Sequence, residues 1–450
     1  MREALRLMVP IVLAAMLNPL NTSLVVTALA PISADLGVAA GDTAVLVAVL
    51  YLASATVQPV AGRLADDFGP RRVMVTGSLV LGLGAAIGWT ATNLAGLVVA
   101  RILIGLGGAG AYPAGMLLIQ RAAHAAGETG PPRGRLAVLN VVGQATVAAG
   151  LPAGGFLVEL AGWRGTFAVN VPLALLAVVT ALVLIERDPP GPPRRGSLAR
   201  QLDLAGILLF AAALIALLGG LLISSGAATG VLLAIGAVAS AVFVRHELRV
   251  PTPFLDLRAL VGNGALSRTY LRTGIGLVGV YVVLYALPLW LQDRQGFAPS
   301  AVAFLTVPVM VVGVVASIAV ARMRAPWLPL AAAALASLGG AGALVVSVLA
   351  AATVLPVLVA TALFGIVMGA TSAANQQALY VQADPGRLGT AAGLMRTAHF
   401  LDSIWSTALV GVAFQHGVTD GGLLVIAAVV AVASVLMLAL AVGDRALRRT

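Results

Sequence analysis

The chain has 450 residues, 60% of them hydrophobic and only 10% charged, with 51 Gly, 23 Pro and no Cys. That balance excludes an ordinary soluble domain, and the missing Cys excludes a disulfide framework, a thiolate metal site and a Cys nucleophile. The formal charge of +10 comes from Arg residues in short loops between apolar runs, a pattern of membrane orientation rather than of a nucleic-acid-binding face.

The apolar runs are about 20 residues long, enough to cross a hydrocarbon core of roughly 30 Å as helices and too long for the short alternating strands of a barrel. An all-α integral membrane protein with 14 transmembrane helices is expected. The first covers 7 to 30; it exceeds the apolar core of a leader peptide, and Pro31 disfavours cleavage after "ALA". It carries Asn18, Asn21 and Thr22 on one face, and its "NTS" acceptor pattern lies within the span. The second, 43 to 64, offers Tyr51 and Gln58; the third covers 73 to 92; the fourth, 95 to 120, contains Arg101. The fifth, 136 to 160, carries Asn140 and Gln144, and the sixth covers 165 to 185.

A Pro-rich basic stretch, "ERDPPGPPRRGSLARQ", then reads as a linker. Helices at 204 to 223 and 227 to 244 are almost without polar side chains, which suits a lipid-facing periphery. "RVPTPFLDLRALVGN" follows, and Phe254, Leu255, Leu257 and Leu260 suggest a short helix on the membrane surface. Six more spans cover 271 to 291, 300 to 321, 327 to 350, 354 to 376, 388 to 412 and 421 to 442, and this second half offers Tyr281, Tyr285, Gln376, Gln377 and Tyr380. The expected domains are a six-helix bundle (1–186), a cytoplasmic linker (187–203), two additional helices (204–245), a cytoplasmic connection with an interfacial helix (246–270) and a second six-helix bundle (271–450). With both termini cytoplasmic, 23 Arg residues lie inside, Arg164 and Arg294 outside, and Arg101 and Arg396 within the membrane.

Polar side chains in such spans must face neighbours or a water-filled cavity. They serve either a solute site or bonds between helices. "GIGLVG" (274–279) fits a dinucleotide pattern but lies inside a span, so no cofactor is expected. The four His residues show no metal-ligand spacing along the chain, no metal is expected, and no catalytic constellation is present, so the chain does not read as an enzyme.

After the second span comes "GRLADDFGPRRVM", in which Gly62, Leu64, Asp66, Gly69 and Arg71 match the signature loop of the major facilitator superfamily, with Arg72 adding a further cation. Asp67 and Pro70 stand where that pattern is basic. "RILIGLGGAG" resembles the family's fourth-helix motif with its intramembrane Arg, here Arg101. "GQATVAAGLPAGGFL" resembles the fifth-helix exporter motif, through Gly143, Gly150, Pro152, Gly154 and Gly155, although Leu151 separates Gly and Pro. "GWRGTFAVNVP" and "LPLWLQDRQGFAPSAVAFLTVP" resemble the 14-helix drug:proton antiporter branch. The resemblance implies a monomeric cell-membrane transporter that moves a small-molecule substrate and protons by alternating access, in contact with lipid and without nucleic acid. Asp66, beside the start of the third helix and several Arg residues, is expected to cap that helix and take part in a conformational switch.

Relatives in that branch commonly carry an Asp in the first helix, where this chain has Asn18 and Asn21, which release no proton. Asp402 is the carboxylate well inside a span, and steps of three place Arg396, His399 and Asp402 on one stripe. Either Asp402 exchanges a proton during transport, aided by His399, Arg396 or Arg101, or the three form a fixed cluster that locks packing. The expected activity is proton-coupled export of hydrophobic or amphipathic molecules. The alternatives are a proton-independent facilitator or importer and, of another class, a non-transporting scaffold or sensor.

Overall fold

The computed structural model describes residues 2–38, 43, 45–128, 132–188, 203–222, 226–251, 253–255, 257–323, 325–350, 353–414 and 417–448. Among these residues the elements are helical and no strand occurs. In order they are α1 (Arg2–Leu36), α2 (Val45–Phe68), α3 (Pro70–Thr90), α4 (Leu94–Gly108), α5 (Ala111–Ala125), α6 (Arg133–Ala168) and α7 (Asn170–Leu184). There follow α8 (Leu204–Leu222), α9 (Gly226–Glu247), α10 (Leu257–Gly262), α11 (Gly264–Gly276) and α12 (Val278–Leu289), which runs into a π turn, Trp290–Arg294. The last are α13 (Pro299–Ala321), α14 (Trp327–Leu349), α15 (Val354–Gln382), α16 (Leu388–Ala413) and α17 (Asp420–Gly443).

Ten stretches among the described residues are long and apolar enough to cross a membrane, or up to 11 with one bent pair counted as a span. The chain is therefore a multi-pass membrane protein. The expected number of 14 is larger: α7 is only 15 residues long, and the polar residues of α16 lower its mean hydropathy. Most of the expected linker falls on residues 189–202, which lie outside the described residues.

The chain divides into two compact units. The first comprises Met1–Leu217, Val231–Arg258 and Ala383–Thr397; the second comprises Leu218–Gly230, Ala259–Gln382 and Ala398–Thr450. In the first unit α6 bends by 50° between Arg133–Val147 and Pro152–Ala168. Pro152 supplies no N–H to the helical ladder, which permits the bend there. Gly150 and Gly154 let this helix press on α1: a Cβ at 154 would lie 3.1 Å from the Leu24 backbone, and one at 150 would overlap Ser23. Gly143 and Gly155 face open space.

The two apolar helices α8 and α9 are not bare of partners. Phe210 of α8 stacks near Phe243 of α9 (5.4 Å between centroids) and Phe254 of the following segment (5.7 Å). Phe254 and Phe243 share a small core with Val60 of α2. Thus Phe254, expected at a membrane surface, is buried instead. Arg63 of α2 donates to the Pro253 carbonyl at 2.7 Å and fixes the same segment.

The second unit packs around Val283, Leu287, Trp290 and Phe364. Its α11–α12 line breaks at Leu277, so "GIGLVG" marks a helix break; Gly279 beside it admits the Phe364 ring, 2.5 Å from where a Cβ would stand. The two Arg residues expected outside are each neutralised by an Asp that also accepts from an indole. Asp35 takes Arg164 and Trp163 Nε1, both at 2.9 Å, and Asp420 takes Arg294 at 3.2 Å and Trp290 Nε1 at 2.8 Å.

At the end of α17 Asp444 accepts from Arg268 and Arg272, both at 2.8 Å. Burial pushes the carboxyl's pKa up, but the hydrogen bonds from Arg268 and Arg272 outweigh burial and hold it below its ordinary value. Its unfolded value is about 3.9, so its stabilisation is complete above roughly pH 5 and disappears as pH falls through the depressed folded value. Asp444→Asn is expected to lower the unfolding temperature at neutral pH and to flatten part of the acid limb, as measured by thermal unfolding in detergent between neutral pH and pH 3. An acid limb identical to wild type would remove Asp444 from this account.

Candidate functional site

In the first unit a polar network ties α1, α2, α4 and α7 together. Asn21 Nδ2 donates to Asn170 Oδ1 (2.8 Å) and to the Leu17 carbonyl (2.9 Å), while Asn170 donates onward to Thr166 O (2.8 Å). Asn18 Nδ2 donates to Ser54 Oγ at 3.2 Å, and that hydroxyl donates to Gly105 O at 3.3 Å. Arg101 is 1% exposed and reaches two backbone carbonyls, Nε to Leu46 O at 2.8 Å and Nη1 to Asn21 O at 3.0 Å. Carbonyl dipoles from two helices thus compensate a buried guanidinium. Its Nη2 has no hydrogen-bond partner among the described residues, nor does Gln58 Oε1.

The signature loop divides its work between two carboxylates. Asp66 accepts from Gly389 N at 2.8 Å and from Thr390 N and Thr390 Oγ1, both at 2.7 Å. The first N–H groups of a helix lack partners and carry positive partial charge, so an anion there is doubly favoured. Asp66 therefore holds the start of α16. Asp188 takes the place expected of Asp66 at α3: it accepts from Arg72 N (2.9 Å), Arg71 N (3.4 Å) and Arg121 Nη1 (3.2 Å). Gly69, at φ +100° before Pro70, supplies the left-handed turn, and any side chain on it would overlap Asp188. The Arg71 side chain donates to Leu182 O (2.6 Å) and Ala181 O (3.3 Å), and Arg72 Nη1 donates to Phe68 O (3.5 Å).

Below that anchor α2 and α16 meet backbone to backbone. A Cβ at Gly389 would stand 2.6 Å from Gly62 O, and one at Gly393 would stand 2.9 Å from the Gln58 carbonyl carbon. A Cβ at Gly62 would stand 2.7 Å from the Gly389 carbonyl carbon.

The stripe on α16 divides at Thr397 between the two units. Arg396 lies over the Tyr112 ring at 4.9 Å from its centroid, within the first unit. His399 and Asp402 belong to the second, where Asp402 is fully buried. Asp402 Oδ2 accepts the Leu277 N–H at 2.9 Å, a donor released by the α11–α12 break, while Oδ1 has no hydrogen-bond partner among the described residues. Tyr281 and Tyr285 stack at 6.0 Å, and the Tyr285 hydroxyl lies 3.0 Å from Ser403 Oγ. Gln377 donates to Val320 O at 3.3 Å, and Gln376 is buried beside it on α15. Tyr51, Asn140 and Gln144 are partly buried in the first unit.

Sequence reasoning did not single out Asn170, Asp188, or the cluster of Asp203, His246 and Glu247. The partners that Asn170, Asp188 and Asp203 meet on other helices stand 149, 116 and 43 positions away, and no local pattern marks them; the acidic residue ahead of α8, in an N-cap position, was the one available signal.

The chain matches the profile of the Major Facilitator Superfamily over residues 11–407. It is 30% identical over 444 residues to the uncharacterized MFS-type transporter YwoD of Bacillus subtilis (strain 168), covering 97% of this chain and 96% of that protein. Puromycin resistance protein pur8 of Streptomyces alboniger is 32% identical over 304 residues, which span 66% of this chain and 58% of pur8. The human organic anion transporter MFSD10 (TETRAN) superposes with a TM-score of 0.68 at 15% identity, covering 96% of this chain and 99% of MFSD10, a likeness of fold.

Proposed function

Because the chain belongs to the Major Facilitator Superfamily, and so is a transporter rather than an enzyme, we propose that it is a proton-coupled exporter of hydrophobic or amphipathic small molecules working by alternating access. In this reading it has 14 spans arranged as six, two and six with the domain boundaries expected from sequence. It sits as a monomer in the cell membrane with both termini cytoplasmic.

The observation that carries the coupling is Asp402. One oxygen is satisfied by the Leu277 N–H and the other has no hydrogen-bond partner among the described residues. The ionised group accepts from the helix break; the protonated group offers an O–H donor from the same place, so the two states favour different local arrangements. Export as the direction is supported by the relative named for puromycin resistance and by the close α1–α6 seam at Gly150 and Gly154.

The test is uptake into everted vesicles with and without a pH gradient, with puromycin as first probe. For one-for-one exchange a gradient of about one pH unit sustains roughly tenfold accumulation. Wild type is expected to show it. Asp402→Asn is expected to equilibrate substrate without accumulating it. Full gradient dependence in Asp402→Asn defeats the assignment, and wild-type transport indifferent to the gradient favours a facilitator.

A further inference from the structure

We propose that Asp203, His246 and Glu247, at the adjoining ends of α8 and α9, form a binding site for a borderline divalent metal ion of the zinc class. One ligand atom from each residue lies within 4.8 Å of the others. The set combines two carboxylates with one imidazole, a donor mixture that suits zinc or manganese; calcium and magnesium prefer six or more oxygens.

The cluster is built. Asp203 is 6% exposed and Glu247 is 1% exposed, so two carboxylates are withdrawn from water side by side. Three backbone N–H groups aim them: Gly206 N donates to Asp203 Oδ1 at 3.0 Å, Phe254 N to Asp203 Oδ2 at 3.1 Å, and Leu255 N to Glu247 Oε2 at 2.6 Å. Such outer bonds fix ligand orientation in metal sites. Gly206 leaves the room in the middle, because a Cβ there would overlap both Glu247 Oε1 and Asp203 Oδ2.

After these bonds Glu247 Oε1 remains buried and has no hydrogen-bond partner among the described residues, and it faces Asp203 across the Gly206 gap. Glu247 also ends α9, where the backbone carbonyls add negative potential. Two buried anions against a helix C-terminus call for a cation. His246 Nε2 lies 2.8 Å from Asp203 Oδ1, and a metal entering between them exchanges that hydrogen bond for two metal bonds. The His246 side chain is 25% exposed and gives the ion a way in from solvent.

A bound ion joins the start of α8, the end of α9 and the 253–255 segment. Arg63 holds that segment from α2, the helix that also carries Asp66. Metal occupancy therefore bears on the helix of the signature loop.

The experiment is calorimetric titration of the purified, tag-free, chelator-treated full chain with zinc chloride, and separately with calcium chloride. Wild type is expected to bind one zinc ion and to bind calcium far more weakly. His246→Gln, at a partly exposed position, is expected to fold and to weaken zinc binding about tenfold or more. Glu247→Gln is expected to abolish it. No zinc binding by wild type overturns the proposal; so does zinc binding that survives His246→Gln unchanged, which places the ion elsewhere. If wild type binds no zinc and Glu247→Gln melts higher, the carboxylates share a proton instead, and the metal site is refuted.

Discussion

Asp66→Ala is expected to free the start of α16 and cut transport on the order of 100-fold. The carboxylate accepts three hydrogen bonds, from Gly389 N, Thr390 N and Thr390 Oγ1. Each bond to a charged acceptor contributes about 1.5–3 kcal/mol in isolation, and the helix start adds up to about 1 kcal/mol. Such bonds are not additive, so about 3 kcal/mol is a conservative total. That much shifts a two-state equilibrium roughly 150-fold. The chain contains no Cys, which makes the shift directly measurable. Leu388, fully buried beside the anchor, becomes a reporter as Leu388→Cys. Its maleimide labelling should accelerate by a similar factor in the Asp66→Ala background. Asp66→Asn should behave alike, since its amide turns a donor toward N–H groups that need an acceptor. Labelling and transport both at wild-type levels in Asp66→Ala would show that the anchor holds nothing.

Arg101→Ala should cost about 2–5 kcal/mol of stability, since each buried carbonyl left without a donor costs about 1–3 kcal/mol. It strands the Leu46 and Asn21 carbonyls and empties a site that is 1% exposed. Against a total stability of about 5–15 kcal/mol such a loss is large. Arg101→Lys should recover part of it, because one ammonium reaches one carbonyl where the planar guanidinium spans two. Thermal unfolding in detergent, paired with vesicle transport, separates two roles. A lowered melting temperature that tracks lost transport marks a strut between helices, whereas wild-type stability with lost transport marks a group needed for the transport cycle. Wild-type values of both would mean the two carbonyl bonds carry no weight.

Much of the helix layout was legible because lipid imposes a length on every span, and runs such as 327 to 350 and 354 to 376 reappear as α14 and α15 within a few residues. The run from Gly143 to Gly155 stood out in the sequence because Gly and Pro act through local backbone properties, but nothing in it named α1 as the helix that Gly150 and Gly154 press on. What escaped was pairing at a distance. "GRLADDFGPRR" announces a charged device but does not say that Asp66 points at residues 389 and 390 while Asp188 serves α3. Likewise Asp203 and His246 are 43 positions apart, so ligand spacing along the chain could not flag them. Helices α8 and α9 look featureless because hydropathy averages over their length, whereas their chemistry is confined to one residue before the first and two at the end of the second.

The contact of α2 with α16 sets a limit of another kind. Every amino acid except glycine carries a Cβ, and at Gly62, Gly389 and Gly393 that atom would meet main chain rather than a side chain able to swing aside. The genetic code consequently has no neutral missense neighbour at these three codons. Gly143 and Gly155, with open space around them, stand on the same helix as Gly150 and Gly154, Gly155 directly beside Gly154, yet are free to drift. Two glycines of one motif thus have opposite mutational fates, decided by whether a neighbouring backbone stands within reach.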